Sequence, residues 1–474
     1  MKKTLLKKYA KLIARVGANV QKGQKVIVYS EAELYEFTPL VVDECYKAGA
    51  SCVSVEWRCQ PITKLSYKNR TLKSLSEVPE WQKAKMQLMT EELPCRIHLI
   101  GEDPDGIKGV NVDKLQKANI AVSKVMKPYR DKIENRHQWT IAAVPTVAWA
   151  KKVFPNDRKS VAVEKLWAQI LASVRVTEDN DPAAAWEAHN KTFAEKSRFL
   201  NDCKFDTIEY KSSNGTDFRV GLMPQGVWHG GCDKTLSGTV FNPNLPTEEI
   251  FTSPMKGKAE GRVVSTKPLS YQGHIINNFH IDFKDGKAVA WKAEEGEELL
   301  GKMLTTDEGA SYIGELALIP CNSPINNSGV LFYETLFDEN ASCHIAMGMG
   351  FADCVENFEN LTLDQCRELG LNDSVIHVDF MVGAPDMRIT GYIYQRRMGV
   401  KISGMLKTPE PQKGGNRDVP QTTLFRLFQD KFGSGIYHCY VLRRCGHLKD
   451  DVFEPLHDNS SCPYSHKSRV IVRL

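Results

Sequence analysis

Apolar residues near the start of the chain recur at helical spacing. Leu5, Tyr9, Leu12, Ile13 and Val16 fall on one face and lysines on the other, which predicts an amphipathic surface helix. The stretch lacks the continuous apolar core of a secretory signal. Short β-rich runs then follow at 25–30 ("KVIVYS"), 51–57 ("SCVSVEW"), 95–100 ("CRIHLI") and 139–145 ("WTIAAVP"). They alternate with helical patterns such as "ELYEFTPLVVDECYKAGA", which closes on Gly49. Strand and helix in alternation predict a parallel sheet covered on both faces. No glycine-rich phosphate loop follows any of these strands, so nucleotide binding has no support.

A helical stretch at 181–201 leads into different patterning. Alternating runs flank Asn214-Gly215 and again Asp285-Gly286, both hairpin signals, and helices are expected near 296–305 and 341–350. The expected architecture is an α/β domain over 1–200, then a β-rich α+β domain over 201–407. From 408 the text turns linker-like and aperiodic, which predicts a poorly ordered basic tail over 408–474.

Composition narrows the class. With 474 residues, more than one core is expected, and 42% hydrophobic with 25% charged residues is the balance of a soluble globular protein. Sixty-two basic against 58 acidic side chains leave a net charge of +4, too even for a polyanion binder, so no nucleic-acid partner is expected. No apolar run reaches membrane-spanning length. Thirteen cysteines, odd in number and without a CxxC pair, suit reduced thiols and a cytoplasmic location. Cys439, Cys445, His447, Cys462 and His466 match no zinc-finger or ribbon spacing.

The chemistry concentrates between 249 and 379. In "SVIHVDFMVG" a strand directs His377 and Asp379 to one face, which is half of a metal site or a hydrogen-bonded pair. "YETLFDENASCH" adds Glu334, Asp338, Glu339 and His344, although a run of acids such as Glu334, Asp338 and Glu339 is more commonly a solvated acidic turn. Asn340 is placed to cap a helix beginning at Ala341, with Glu339 at its entrance and His344 in its first turns. Glu249 precedes the apolar Ile250-Phe251, and Glu315 opens an apolar run that reads as a buried strand. A buried carboxylate needs a partner, and a cation supplies one. Glu249, Glu315, Glu339, His344, His377 and Asp379 would together suit two divalent ions sharing a carboxylate. Mixed carboxylate and imidazole donors favour Zn, Co or Mn over Ca.

The segments "NLPTEEIFTSP", "STKPLSYQG", "MLTTDEGASYIGELALIP", "SPINNSGVLFYETLFDENASCHIAMG" and "HVDFMVGAPDM", in that order, resemble the thermophilic aminopeptidase family of metallopeptidases, the aminopeptidase T and aminopeptidase S group. "YAKLIARVGANVQKGQKVIVYS" and "YKAGASCVSVEW" extend the likeness over roughly 5–395. The resemblance implies a dimeric, two-domain exopeptidase that removes N-terminal residues from peptides with co-catalytic metals. It also assigns the same six ligands, through the acid before "IFT", "GELAL", "DEN", "SCH" and "HVD". Two departures stand out: Phe351 lies where the family carries a tyrosine, and the tail matches nothing in the family. Glu315 and Glu334 are the candidates for a proton-shuttling carboxylate. Two other readings share the site. One is a metal-binding protein with little or no turnover, and the other is a metal-dependent hydrolase of esters or phosphates.

Overall fold

The computed structural model describes residues 1–394 and, as backbone strands, Lys401–Lys407, His438–Arg443, Val452–Phe453 and Lys467–Arg473. The helix Lys3–Leu12 buries Tyr9, Ala10 and Leu12, so the amphipathic reading of the N-terminus holds. Strands Lys25–Glu31, Cys52–Arg58, Cys95–Ile100 and Trp139–Ala143 form a parallel sheet, as their apolar runs predict. Gly49 ends the helix Thr38–Ala48 in the left-handed conformation, at φ 105°, and lets the chain turn back into the next strand. The fifth strand comes from far away. Asn244–Leu245 pairs with Ile141 and Ala142 at the sheet edge.

Past the helix Pro182–Cys203 the strand pairs become mainly antiparallel, with Lys401–Lys407 beside Lys467–Arg473 a parallel exception. The Asp285-Gly286 turn joins His274–Lys284 to Lys287–Glu295, with both turn residues at positive φ as a two-residue hairpin requires. The Asn214-Gly215 hairpin also forms, but through a longer loop in which only Gly215 has positive φ. The helix expected near 296–305 is Glu297–Leu304. A second antiparallel sheet has the order His377–Met381, His344–Gly348, Ile313–Leu318, Ile250–Thr252, His229–Gly230.

Two large apolar cores result. One packs helices on the parallel sheet around Tyr9, Trp149, Trp167 and Trp186, and it also takes in Ile325, Phe332 and Phe337 from the later part of the chain. The other joins the antiparallel sheets through Phe218, Phe279, Leu316, Ile345 and Phe380. Most of 408–474, including Cys445, His447, Cys462 and His466, lies outside the described residues.

Candidate metal centre

Strand register assembles the site. In the five-stranded sheet Ala317 pairs with His344 and Phe251, Glu315 pairs with Ala346, Ala346 with Asp379, and Gly348 with His377. Residues opposite one another in an antiparallel pair share a face. One face therefore gathers Glu315, His344, His377 and Asp379, spaced by the small side chains of Ala317 and Ala346 and by Gly348. The other face carries Leu316, Ile345 and Phe380 into the core. Glu249 immediately precedes the Ile250–Thr252 strand at one side of this array.

The expected helix over 341–350 does not form. Glu339–Ala341 is a single 3₁₀ turn, and His344 opens the strand His344–Gly348. Asn340 is not a helix cap. Its amide donates to the Leu336 carbonyl at 2.9 Å and accepts from the Glu248 N–H at 2.6 Å. Nor is the acidic run a solvated turn: Asp338 and Glu339 are buried, and Asp338 receives the N–H groups of Phe332 and Glu334.

Both imidazoles are oriented by main chain. The Nδ1 atoms of His344 and His377 lie 3.0 Å and 2.7 Å from the carbonyls of Glu339 and Met349, which turns each Nε2 toward the carboxylates. His344 Nε2 is 3.3 Å from Glu249 Oε2 and 3.9 Å from Glu315 Oε1. His377 Nε2 is 3.0 Å from the other oxygen, Glu315 Oε2, and 3.3 Å from Asp379 Oδ1. Two triads of ligand atoms follow, Glu249–Glu315–His344 and Glu315–His377–Asp379, and Glu315 belongs to both. Glu339 lies outside both triads, buried beside Asn340.

The charges are poorly balanced by protein alone. Burial raises the Glu315 carboxyl to about 7, although His377 pulls against it. Burial and the carboxylates of Asp379, Glu249 and Glu315 hold Glu339 well above its usual range. Burial alone would lower His344, but Glu249, Asp379 and Glu315 outweigh it and carry the ring up to about 9. Asp379 Oδ1 is buried without a hydrogen-bond partner of good geometry. Four buried carboxylates, two imidazoles presenting Nε2 and an orphaned oxygen are a donor set that divalent cations fit. Hydrogen bonds from ligand histidines to main-chain carbonyls are the usual outer support of such sites.

Glu334 stands apart from the triads, at the start of the short helix Thr335–Asp338. Its Oε2 is buried without a partner, and burial, with Glu102 and Asp338 nearby, raises its carboxyl to about 8. Phe351 packs its ring 4.7 Å from the His377 ring and 5.7 Å from Phe251. The spacing residues Ala317, Ala346 and Gly348 carry no chemistry of their own. Their only trace in the sequence is the run of small side chains in "GELAL" and "HIAMG".

Residues 2–402 match the model of the thermophilic metalloprotease (M29) family. The chain is 39% identical to aminopeptidase AmpS of Bacillus subtilis over 387 residues, which is 81% of this chain and 94% of that protein. It is 38% identical to aminopeptidase T of Thermus thermophilus, over 81% of this chain and 94% of that one. The solved structure of wild-type AmpT from Thermus thermophilus superposes with a TM-score of 0.74 at 37% identity, covering 82% of this chain and 95% of that one. No helix among the described residues is long and apolar enough to cross a membrane. The shared sequence, the shared mixed α/β architecture and the buried carboxylate–imidazole cluster lead to one conclusion: this chain belongs to the thermophilic metalloprotease family M29 and is a metal-dependent peptide-bond hydrolase.

Proposed function

We propose that the protein is an aminopeptidase that removes N-terminal residues from peptides at a dinuclear site. Glu249, Glu315, Glu339, His344, His377 and Asp379 hold two ions of the Zn, Co or Mn type. The observation that carries this reading is the position of Glu315, whose two oxygens face different imidazoles and so belong to both triads. When bound, a pair of such ions supplies Lewis acidity and a nucleophilic water at neutral pH.

The chain's own groups do the rest. His344 and His377 are held by main-chain carbonyls, so the donor atoms are fixed before any ligand arrives. Glu315 is committed to the ligand set, which leaves Glu334 as the proton carrier. In its ionised form its unpartnered Oε2 would take the proton released by the attacking water and return it to the departing amine. The catalytic region over 201–407 and the α/β region over 1–200 form the working enzyme, in a cytoplasmic homodimer with peptides as substrates.

A second reading, a metal-binding protein with weak or no peptidase activity, draws on one observation. Phe351 sets a ring without a hydroxyl against His377, where a phenol would serve an oxyanion. Hydrolysis of leucine p-nitroanilide with added Zn, Co or Mn separates the two. His344→Ala and Asp379→Ala should each abolish that hydrolysis and reduce bound metal per chain. Either variant with full metal content and full turnover would overturn the assignment.

A further inference from the structure

Glu248 lies next to the ligand Glu249 but faces elsewhere. Its side chain is 6% exposed, and its Oε1 accepts from Arg175 Nη2 at 2.5 Å. Arg175 comes from the loop between the helices Lys159–Ser173 and Pro182–Cys203, in the α/β part of the chain. It adopts a left-handed backbone at φ 59°, which a non-glycine residue takes only when its surroundings hold it there. Here they do. Its carbonyl accepts from Asn180 Nδ2 at 2.7 Å, its Nη1 donates to the Ser173 carbonyl at 3.1 Å, and its guanidinium lies 5.7 Å from the Trp186 ring. His189 Nε2, on the second helix, holds the Thr247 carbonyl at 2.8 Å.

The chain of contacts continues into the site. The Glu248 N–H donates to Asn340 Oδ1, and Asn340 is fully buried beside Glu339. The Asn340 carbonyl is held by Ser323 Oγ at 2.9 Å, and the Glu339 carbonyl in turn receives His344 Nδ1. One path of hydrogen bonds thus runs from Arg175 through Glu248 and Asn340 to the segments of three ligands, Glu249, Glu339 and His344.

We propose that Arg175, Glu248 and Asn340 form a clamp by which the α/β part of the molecule fixes the spacing of Glu249 and Glu339 and so sets the affinity of the site for its metal. They are positioning residues and touch neither substrate nor ion. The proposal rests on the dinuclear reading. Ligands of fixed geometry bind without the entropy cost of gathering them, and loss of outer-shell contacts commonly weakens metal binding about 10–100-fold.

The test compares metal-free full-length wild type with Arg175→Met, Glu248→Met and the double variant. Zinc affinity is measured by chelator competition, and the melting temperature is measured without metal. Arg175→Met leaves the buried Glu248 carboxylate without its guanidinium, and Glu248→Met leaves the half-buried Arg175 without its acid, so both quantities should fall. In the double variant the Arg175–Glu248 pair leaves no unmatched member, and only the half-buried Lys196 loses Glu248 as a countercharge, so the metal-free melting temperature should recover in large part while zinc affinity stays about 10-fold or more below wild type. Added zinc should restore hydrolysis in all three. Zinc affinity of the double variant within twofold of wild type, or affinity recovering in step with melting temperature, would overturn the clamp. If a single variant fails to fold, the double variant decides the matter. Wild type that binds no zinc would instead overturn the metal reading itself.

Discussion

Single side chains decide how this site works. Phe351 is the sharpest case, because its ring already touches His377 and lacks only an oxygen. Phe351→Tyr should raise turnover on amino-acid p-nitroanilides by about 10-fold or more and leave metal content unchanged, since one oxyanion donor is commonly worth about 10²–10³ in rate. An unchanged rate would place the oxyanion elsewhere. His137 carries a different consequence. Its Nδ1 faces the Ile133 carbonyl at 3.0 Å, and its Nε2 accepts from Arg96 Nε at 2.6 Å, so the folded protein keeps the ring neutral. Burial, and Arg96 beside it, lower it to about 4. An unfolded imidazole titrates near about 6.5. The stability it contributes is therefore complete above about pH 6.5 and is lost as pH falls toward about 4. Urea unfolding of wild type and His137→Gln should show the advantage of wild type shrinking by roughly 2 kcal/mol between pH 8 and pH 5. A constant difference would mean that the ring is not held neutral.

At the level of elements, the parallel strands were legible because they are β-rich runs between helices. Asp285-Gly286 was legible because its turn demands positive φ at both positions. His344 was misread for a physical reason. "HIAMG" is buried on both faces, so it shows no polar–apolar alternation, and Asn340 in front of it looks like a cap. The asparagine is instead spent on tying Glu248 to the Leu336 turn. The six proposed ligands could be picked out as acids and histidines beside apolar runs, but their convergence depends on cross-strand register. No local pattern encodes that register. Gly348 shows how tight it is. At φ 105°, an added Cβ would meet the Ile376 carbonyl oxygen at 2.2 Å. Gly348→Ala should cost more than about 2 kcal/mol and displace the strand carrying His377, lowering metal content even where the protein still folds. Full stability and full metal loading would show that the strand pair yields more easily than its geometry implies.

Across the whole molecule the family match ends at residue 402, and 408–474 carries ten basic and seven acidic residues, three of the net four positive charges. None of the proposed ligands lies beyond Asp379. A chain ending at Lys407 should keep its metal content and hydrolytic rate and melt within a few degrees of the full protein. Loss of folding or of metal would make the tail an integral part of the enzyme. The α/β part cannot be removed so simply. Asn244–Leu245 completes its sheet, and Ile325, Phe332 and Phe337 fill its core. The chain thus leaves the first core after Trp186, returns to it at Leu245, departs again and comes back at Ile325. Such lacing has a practical meaning. A peptidase laced this way cannot be divided into two self-sufficient halves by a single cut, because either piece would lose part of the first core. A volume change at Ile325, Phe332 or Phe337 is therefore felt by helices more than a hundred residues earlier in the chain.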